Sequence, residues 1–185
     1  MENFDLDREI ARLILLQRIE LLTPHQRKIR KLFGRYFFTN FFSKFFINPK
    51  EIGKKYLLEM VNEYNLLAKY INFENKKILS IGSGMCGLEL IISSKSSGNS
   101  FFIIEKNYIS KKIKYGWDQN NIEAYNNIAK LKIFLSNNGM MKSRYNIYDF
   151  DSDNLPSDKF DCIISLYSLD YHYDFKLYED YLQRT

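Results

Sequence analysis

The chain reads as an α/β protein, a parallel sheet with helices packed on it, preceded by an all-helical stretch. Three observations predict this. From residue 71 onward, short apolar runs alternate with helix-length amphipathic segments in the order strand, helix, strand, helix, strand, strand, helix. The first run, Ile78-Leu79-Ser80-Ile81, enters the glycine turn Gly82-Ser83-Gly84-Met85-Cys86-Gly87, and a helix begins near Leu88. A second run, Phe101-Phe102-Ile103-Ile104, ends in Glu105, eighteen residues past Gly87.

The N-terminal 70 residues predict three helices and a separate helical region. Residues 5–22 carry Ile10, Leu13, Ile14, Leu16 and Leu21 on one face. Thr23-Pro24 interrupts, with Thr23 as a helix cap and Pro24 in the first helical position. A second helix is expected from residue 24 to 46, ended by Asn48-Pro49. It mixes Arg27, Lys28, Arg30, Lys31 and Arg35 with Phe33, Phe37, Phe41 and Phe45 at spacing four, doubled by Phe38, Phe42 and Phe46. A third helix covers about 50–70, with Ile52, Tyr56, Leu57, Met60, Tyr64, Leu67 and Ala68 inward.

Residues 71–185 hold the sheet. After Glu105 comes a long link bearing Lys106, Lys111, Lys112, Lys114, Tyr115 and Trp117; it reads either as a substrate-shaping loop or as a solvated basic one. Asp118 is expected to cap the longest helix, with Ile122, Tyr125, Ile128, Leu131 and Leu135 inward and a stop at Asn138-Gly139. Tyr145-Asn146-Ile147-Tyr148 is the third strand, followed at once by Asp149-Phe150. Phe160-Asp161-Cys162-Ile163-Ile164-Ser165 is the fourth, and a last helix is expected from near Asp174 with Phe175, Tyr178 and Leu182 buried.

Charge divides the chain. The net charge is +5, yet residues 1–50 hold ten Lys or Arg against five Asp or Glu, and the remainder balances to zero. No acid stands between Leu21 and Lys50. This basic aromatic segment could lie on an anionic membrane surface or track a nucleic-acid backbone. Burial of the aromatic stripe against the sheet is the preferred expectation, because doubled aromatics at helical spacing usually mean cover on two sides. Nucleic acid is accordingly not an expected partner. Cys86 and Cys162 sit in apolar surroundings and read as free thiols, and no apolar run reaches the length of a membrane span. A cytoplasmic protein is the expectation.

The glycine turn brings bare backbone against a bound group, and a carboxylate at the end of the second strand can accept from both hydroxyls of a ribose. With Asp149-Phe150 after the third strand and Phe160-Asp161-Cys162-Ile163 in the fourth, residues 71–182 resemble the class I S-adenosylmethionine-dependent methyltransferases. The resemblance implies a Rossmann-like sheet in the order 3-2-1-4, without the three further strands that the family normally adds. It implies that Gly82, Ser83, Gly84 and Gly87 cradle S-adenosyl-L-methionine and that Glu105 holds the ribose. Asp149 would bond the adenine amino group, Phe150 would lie against the ring, and Ser165 to Leu169 would line the transfer site. Ser80 departs from the family, which often has an acid there to orient the cofactor's amino end. No residue is assigned as a metal ligand.

His172, in Ser168-Leu169-Asp170-Tyr171-His172-Tyr173, is the candidate general base, with Asp170, Tyr171 and Tyr173 as rivals. That tyrosine-histidine-tyrosine loop is similar to one in methyltransferases assigned to surface-sugar pathways. The leading expectation is methyl transfer to a hydroxyl of a small-molecule or saccharide acceptor. The alternatives are a truncated, non-catalytic interaction module and an NAD-type dinucleotide-binding domain. If the fourth strand is an edge, residues 160–166 offer a surface for self-association or a partner, unless the N-terminal helices fold over it.

Overall fold

Four strands form the sheet: β1 (Lys77–Ile81), β2 (Ser100–Glu105), β3 (Tyr145–Asp149) and β4 (Cys162–Ile164). The computed structural model describes residues 2–109, 124–166, 168 and 175–185, and of residues 35, 36, 43, 44 and 177 only the backbone. All pairings are parallel, in the order β3-β2-β1-β4. This is the α/β arrangement that the sequence pattern predicts, in the Rossmann-like strand order that the resemblance implies. β1 and β2 are covered on both faces, which is why they read as nearly continuous apolar runs rather than alternating ones. Register places Ile81 opposite Ile104 and Glu105 opposite Asp149, so the carboxyl ends of the three neighbouring strands finish together.

Seven helices surround the sheet among the described residues: α1 (Arg8–Gln17), α2 (Pro24–Phe33), α3 (Arg35–Phe45), α4 (Pro49–Leu67), α5 (Gly87–Lys95), α6 (Ile128–Asn137) and α7 (Lys176–Leu182). Local chemistry sets their starts. Asp7 caps α1 by accepting the Ile10 N–H at 2.7 Å, and Thr23 caps α2 in a reciprocal box with Gln26. Asn48 and Asn127 cap α4 and α6. None of the described helices is long and apolar enough to cross a membrane.

One apolar cluster joins α1, α4, α5 and α6 to a single face of the sheet, through Ile78, Phe101, Ile103 and Ile164. Helix α1 is buried nearly all round, Leu15 included, so it is an interior helix rather than a surface one with one apolar face. The opposite face of the sheet, Leu79, Ile81, Phe102 and Ile104, packs against Tyr178 of α7. β4 has one strand neighbour among the described residues, and Ile163 on it is two-fifths exposed.

Four expectations need correction. Residues 24–46 are two helices, because Gly34 adopts φ 80° between α2 and α3, a value that favours glycine and interrupts the helical run. The aromatic stripe is not covered on two sides. Phe38 is buried and Phe42 partly so, whereas Phe33, Phe37, Phe41, Phe45 and Phe46 are each more than half exposed. The helix expected to include Tyr125 starts only at Ile128; Tyr125 instead forms an antiparallel bridge with Ile109. Phe175 is exposed just before α7 rather than buried in it. The expectations for Asp118, Ile122, Asp174 and the link residues Lys111, Lys112, Lys114, Tyr115 and Trp117 lie outside the described residues.

At Gly87, α5 packs closely against α4. A Cβ there would stand 2.6 Å from Tyr56 Oη and 2.7 Å from Met60 Cγ. Gly87→Ala is therefore predicted to lower unfolding free energy by about 1–3 kcal/mol through overpacking. Urea denaturation checks this, and an unchanged midpoint would show that the α4–α5 contact is looser than described.

Candidate functional site

At the carboxyl ends of β1 and β2 the sheet opens into a cleft of about 700 Å³. Parallel sheets bind ligands at this end, where loops leave the strands and backbone groups lack ladder partners. The floor is the glycine turn. Gly82 N–H donates to the Ile104 carbonyl at 2.9 Å, which carries the β1–β2 pairing one residue into the turn. Gly82 and Gly84 both hold φ 63°, in the left-handed region where a side chain is strained. An added Cβ at Gly82 would run into Ser168 Oγ, and one at Gly84 would lie 2.5 Å from Gln17 Oε1.

Glu105 closes the turn from the side. Its Oε1 accepts the Gly84 N–H, and Asn126 donates to the same carboxylate. Asn126 Nδ2 also donates to the Gly84 carbonyl at 2.7 Å, so one amide braces both the loop and the acid. Burial pushes the Glu105 carboxyl up to about 7 against these hydrogen bonds, and the neighbouring charge of Glu89 adds to the rise. Phe150, whose N–H donates to the Glu105 carbonyl at 2.8 Å, and Tyr178 form an aromatic wall with ring centroids 5.5 Å apart.

The remaining wall comes from the N-terminal helices. Gln17 at the end of α1 lies over Gly84 and donates to the Tyr125 carbonyl at 2.9 Å. Arg18 follows it into the cleft lining, paired with both Glu63 and Glu20. Glu20, Arg30 and Glu59 complete this side.

Glu89 in the first turn of α5 is fully enclosed, and its Oε2 has no hydrogen-bond partner among the described residues. Burial pushes its carboxyl up to about 7, with Ser80 and Arg18 pulling the other way. Ser80 Oγ is near enough to act on that carboxyl, yet it makes no hydrogen bond of ordinary geometry. Beside Glu89, Ser83 and Arg18 lies a space of about 20 Å³, room for one water-sized group.

Of the residues singled out from sequence, Gly82, Ser83, Gly84, Glu105 and Phe150 line the cleft. Gly87, Asp149 and Ser165 stand next to it. The Gly87 N–H is taken by Tyr56 Oη at 3.2 Å, and Ser165 Oγ donates to the Ile81 carbonyl at 3.0 Å. Asp149 Oδ1 accepts from the N–H groups of Asp151 and Asn107 at 3.2 and 3.4 Å. His172, with Leu169, Asp170, Tyr171 and Tyr173, lies outside the described residues. Sequence reading missed Gln17, Arg18, Glu89 and Asn126. Gln17 and Arg18 end an apolar helix remote in sequence, and Glu89 looks like an ordinary acid favouring a helix start. No protein-family model matches the chain, and no curated protein matches it in sequence.

The two raised carboxyls carry a pH signature. Between the ordinary value of 4.5 and about 7, the folded chain binds more protons than the unfolded one. Stability therefore falls as pH rises through that window and levels off above it. Glu89→Gln removes one of the two contributions. It is predicted to raise unfolding free energy by about 2–3 kcal/mol at pH 8 and to change it little at pH 4. Urea unfolding at both pH values checks this, and a variant that tracks the parent at each would contradict the buried, ionisable Glu89.

Proposed function

We propose that the cleft binds S-adenosyl-L-methionine and that the chain serves methyl transfer to a hydroxyl of a small-molecule or saccharide acceptor. The observation that carries this reading is the buried Glu105 carboxylate at the end of β2, held against the glycine turn at the floor of the cleft. A carboxylate so placed suits ribose hydroxyls. Phe150 and Tyr178, with rings tilted 37° to each other, offer an aromatic wall for a purine, and Asp149 one strand over retains a second carboxylate oxygen for an amino group. Ser80 occupies the position where related sites often carry an acid. Glu89, reaching the same spot from α5 beside Ser83, supplies the carboxylate for a cationic amino end, directly or through one water.

The chemistry supplied by bound S-adenosyl-L-methionine is displacement at a sulfonium methyl. The carbon–sulfur bond breaks with its electron pair left on sulfur while the acceptor oxygen bonds to carbon. This chain's own work is then orientation and proton removal. Leu166 and Ser168 line the cleft beyond β4, and His172, close by in sequence, is the residue proposed to take the acceptor's proton.

The same site speaks against a dinucleotide. A pyrophosphate wants the free N–H groups at the start of the helix that follows the glycine turn. Here the Gly87 N–H is capped by the buried Tyr56 hydroxyl, the Gly84 N–H by Glu105, and Glu89 puts an acid in the first turn. A phosphate-free cofactor meets none of that opposition.

Calorimetry separates the readings. S-adenosylhomocysteine is expected to bind at micromolar strength and NAD not at all. Glu105→Ala should weaken the former by about 1.5–3 kcal/mol, through loss of charge-assisted hydrogen bonds. Binding of NAD alone would favour the dinucleotide reading, and binding of neither would favour a non-catalytic module.

A further inference from the structure

The feature that the cleft does not use is the outer face of α2 and α3. Phe33, Phe37, Phe41 and Phe45 form a continuous ladder, with successive ring centroids 6.1, 5.9 and 5.4 Å apart, and Phe46 leans on Phe41 and Phe45 at its end. All five rings are more than half exposed, and Leu32 beside them is 82% exposed. Together the rings present roughly 600 Å² of apolar surface, at the upper limit of what a monomer ordinarily shows to water. The ladder runs for roughly 18 Å along the helices. Inward-facing Phe38 and Thr39 are buried and tie α3 to the body of the protein, so the outward rings have a rigid mount.

Charge identifies the occupant. Lys28, one turn before Leu32 on the same helix face, and Lys31 and Lys50 are exposed, while no acid occurs from residue 21 to 50. Residues 51–185 balance to zero, so the chain's excess positive charge lies in the N-terminal stretch that carries this face. The ladder itself consists of phenylalanines, which carry no hydrogen-bonding group with which to specify a partner's geometry. Aromatic rings without such groups, mounted on short helices and flanked by lysines, match the headgroup–acyl boundary of a bilayer that carries negative lipids. We propose that α2 and α3 seat this protein on an anionic membrane surface, with the phenylalanine ladder inserted and the lysines at the headgroups. This inference does not rest on the methyltransferase reading.

Flotation of the full chain with lipid vesicles tests it. Vesicles of two parts phosphatidylcholine to one part phosphatidylglycerol are expected to carry at least about tenfold more protein than pure phosphatidylcholine vesicles, and high salt should reduce the difference. The triple variant Phe37→Ser, Phe41→Ser, Phe45→Ser should lose about a hundredfold in partitioning. Lys28→Glu with Lys31→Glu should abolish the preference for anionic vesicles. Thermal melts of both variants, whose substituted side chains are solvent-facing, confirm that each remains folded. Equal retention on neutral and anionic vesicles, or retention on neither, overturns the proposal. So does a stable dimer, seen by sedimentation, that the triple variant converts to monomer.

Discussion

The hydrogen bond from the Gly84 amide to the Glu105 carboxylate sets the shape of everything around the cleft. It joins the turn after β1 to the end of β2, in a place where the strand ladder has run out and backbone groups need other partners. Gly84 must take a left-handed conformation to present its amide, and Asn126 must lie close enough to serve both groups. Burying the acid raises its pKa, so the arrangement costs stability at neutral pH. Natural sheets tolerate such a cost at binding sites, where a preorganised charge is more useful than a relaxed one.

The N-terminal helices are part of this arrangement rather than an accessory to it. α1 lies within the same apolar cluster as the sheet face, and its last residue, Gln17, covers Gly84. Arg18 then enters the cleft wall, held by Glu63 of α4 with Nη2 3.2 Å from Oε2. α4 in turn closes over α5, where Gly87 leaves the space that Tyr56 and Met60 fill. The Tyr56 hydroxyl there accepts the N–H of Gly87, the first residue of α5.

Local signals in the sequence carried the sheet and half of the site. The strands are legible because apolar runs bounded by turns are short-range patterns, and the glycine turn and Glu105 because their spacing follows from one strand–helix–strand unit. The helix cap at Thr23 is legible for the same reason. What failed depends on tertiary surroundings. Periodicity finds the phenylalanine stripe of α3 but is silent on which side acquires a cover, and of the doubled aromatics only Phe38 and, in part, Phe42 are covered. Gly34 alone does not announce a break, since a single glycine inside a helical pattern is often tolerated. Glu89 becomes notable only once α4 encloses it, and Asn126 only once the bridge between Ile109 and Tyr125 brings it under the glycine turn.

The Gly82–Gly87 turn, braced by Glu105, is the proposed seat of a phosphate-free adenosyl cofactor. Amide hydrogen exchange in this segment tests it most directly. S-adenosylhomocysteine is predicted to slow exchange across residues 82–87 and at the ends of β2 and β3, with NAD at equal concentration leaving these amides unchanged. Exchange that is unaffected by S-adenosylhomocysteine at saturating concentration, or protection confined to segments remote from the turn, would contradict it.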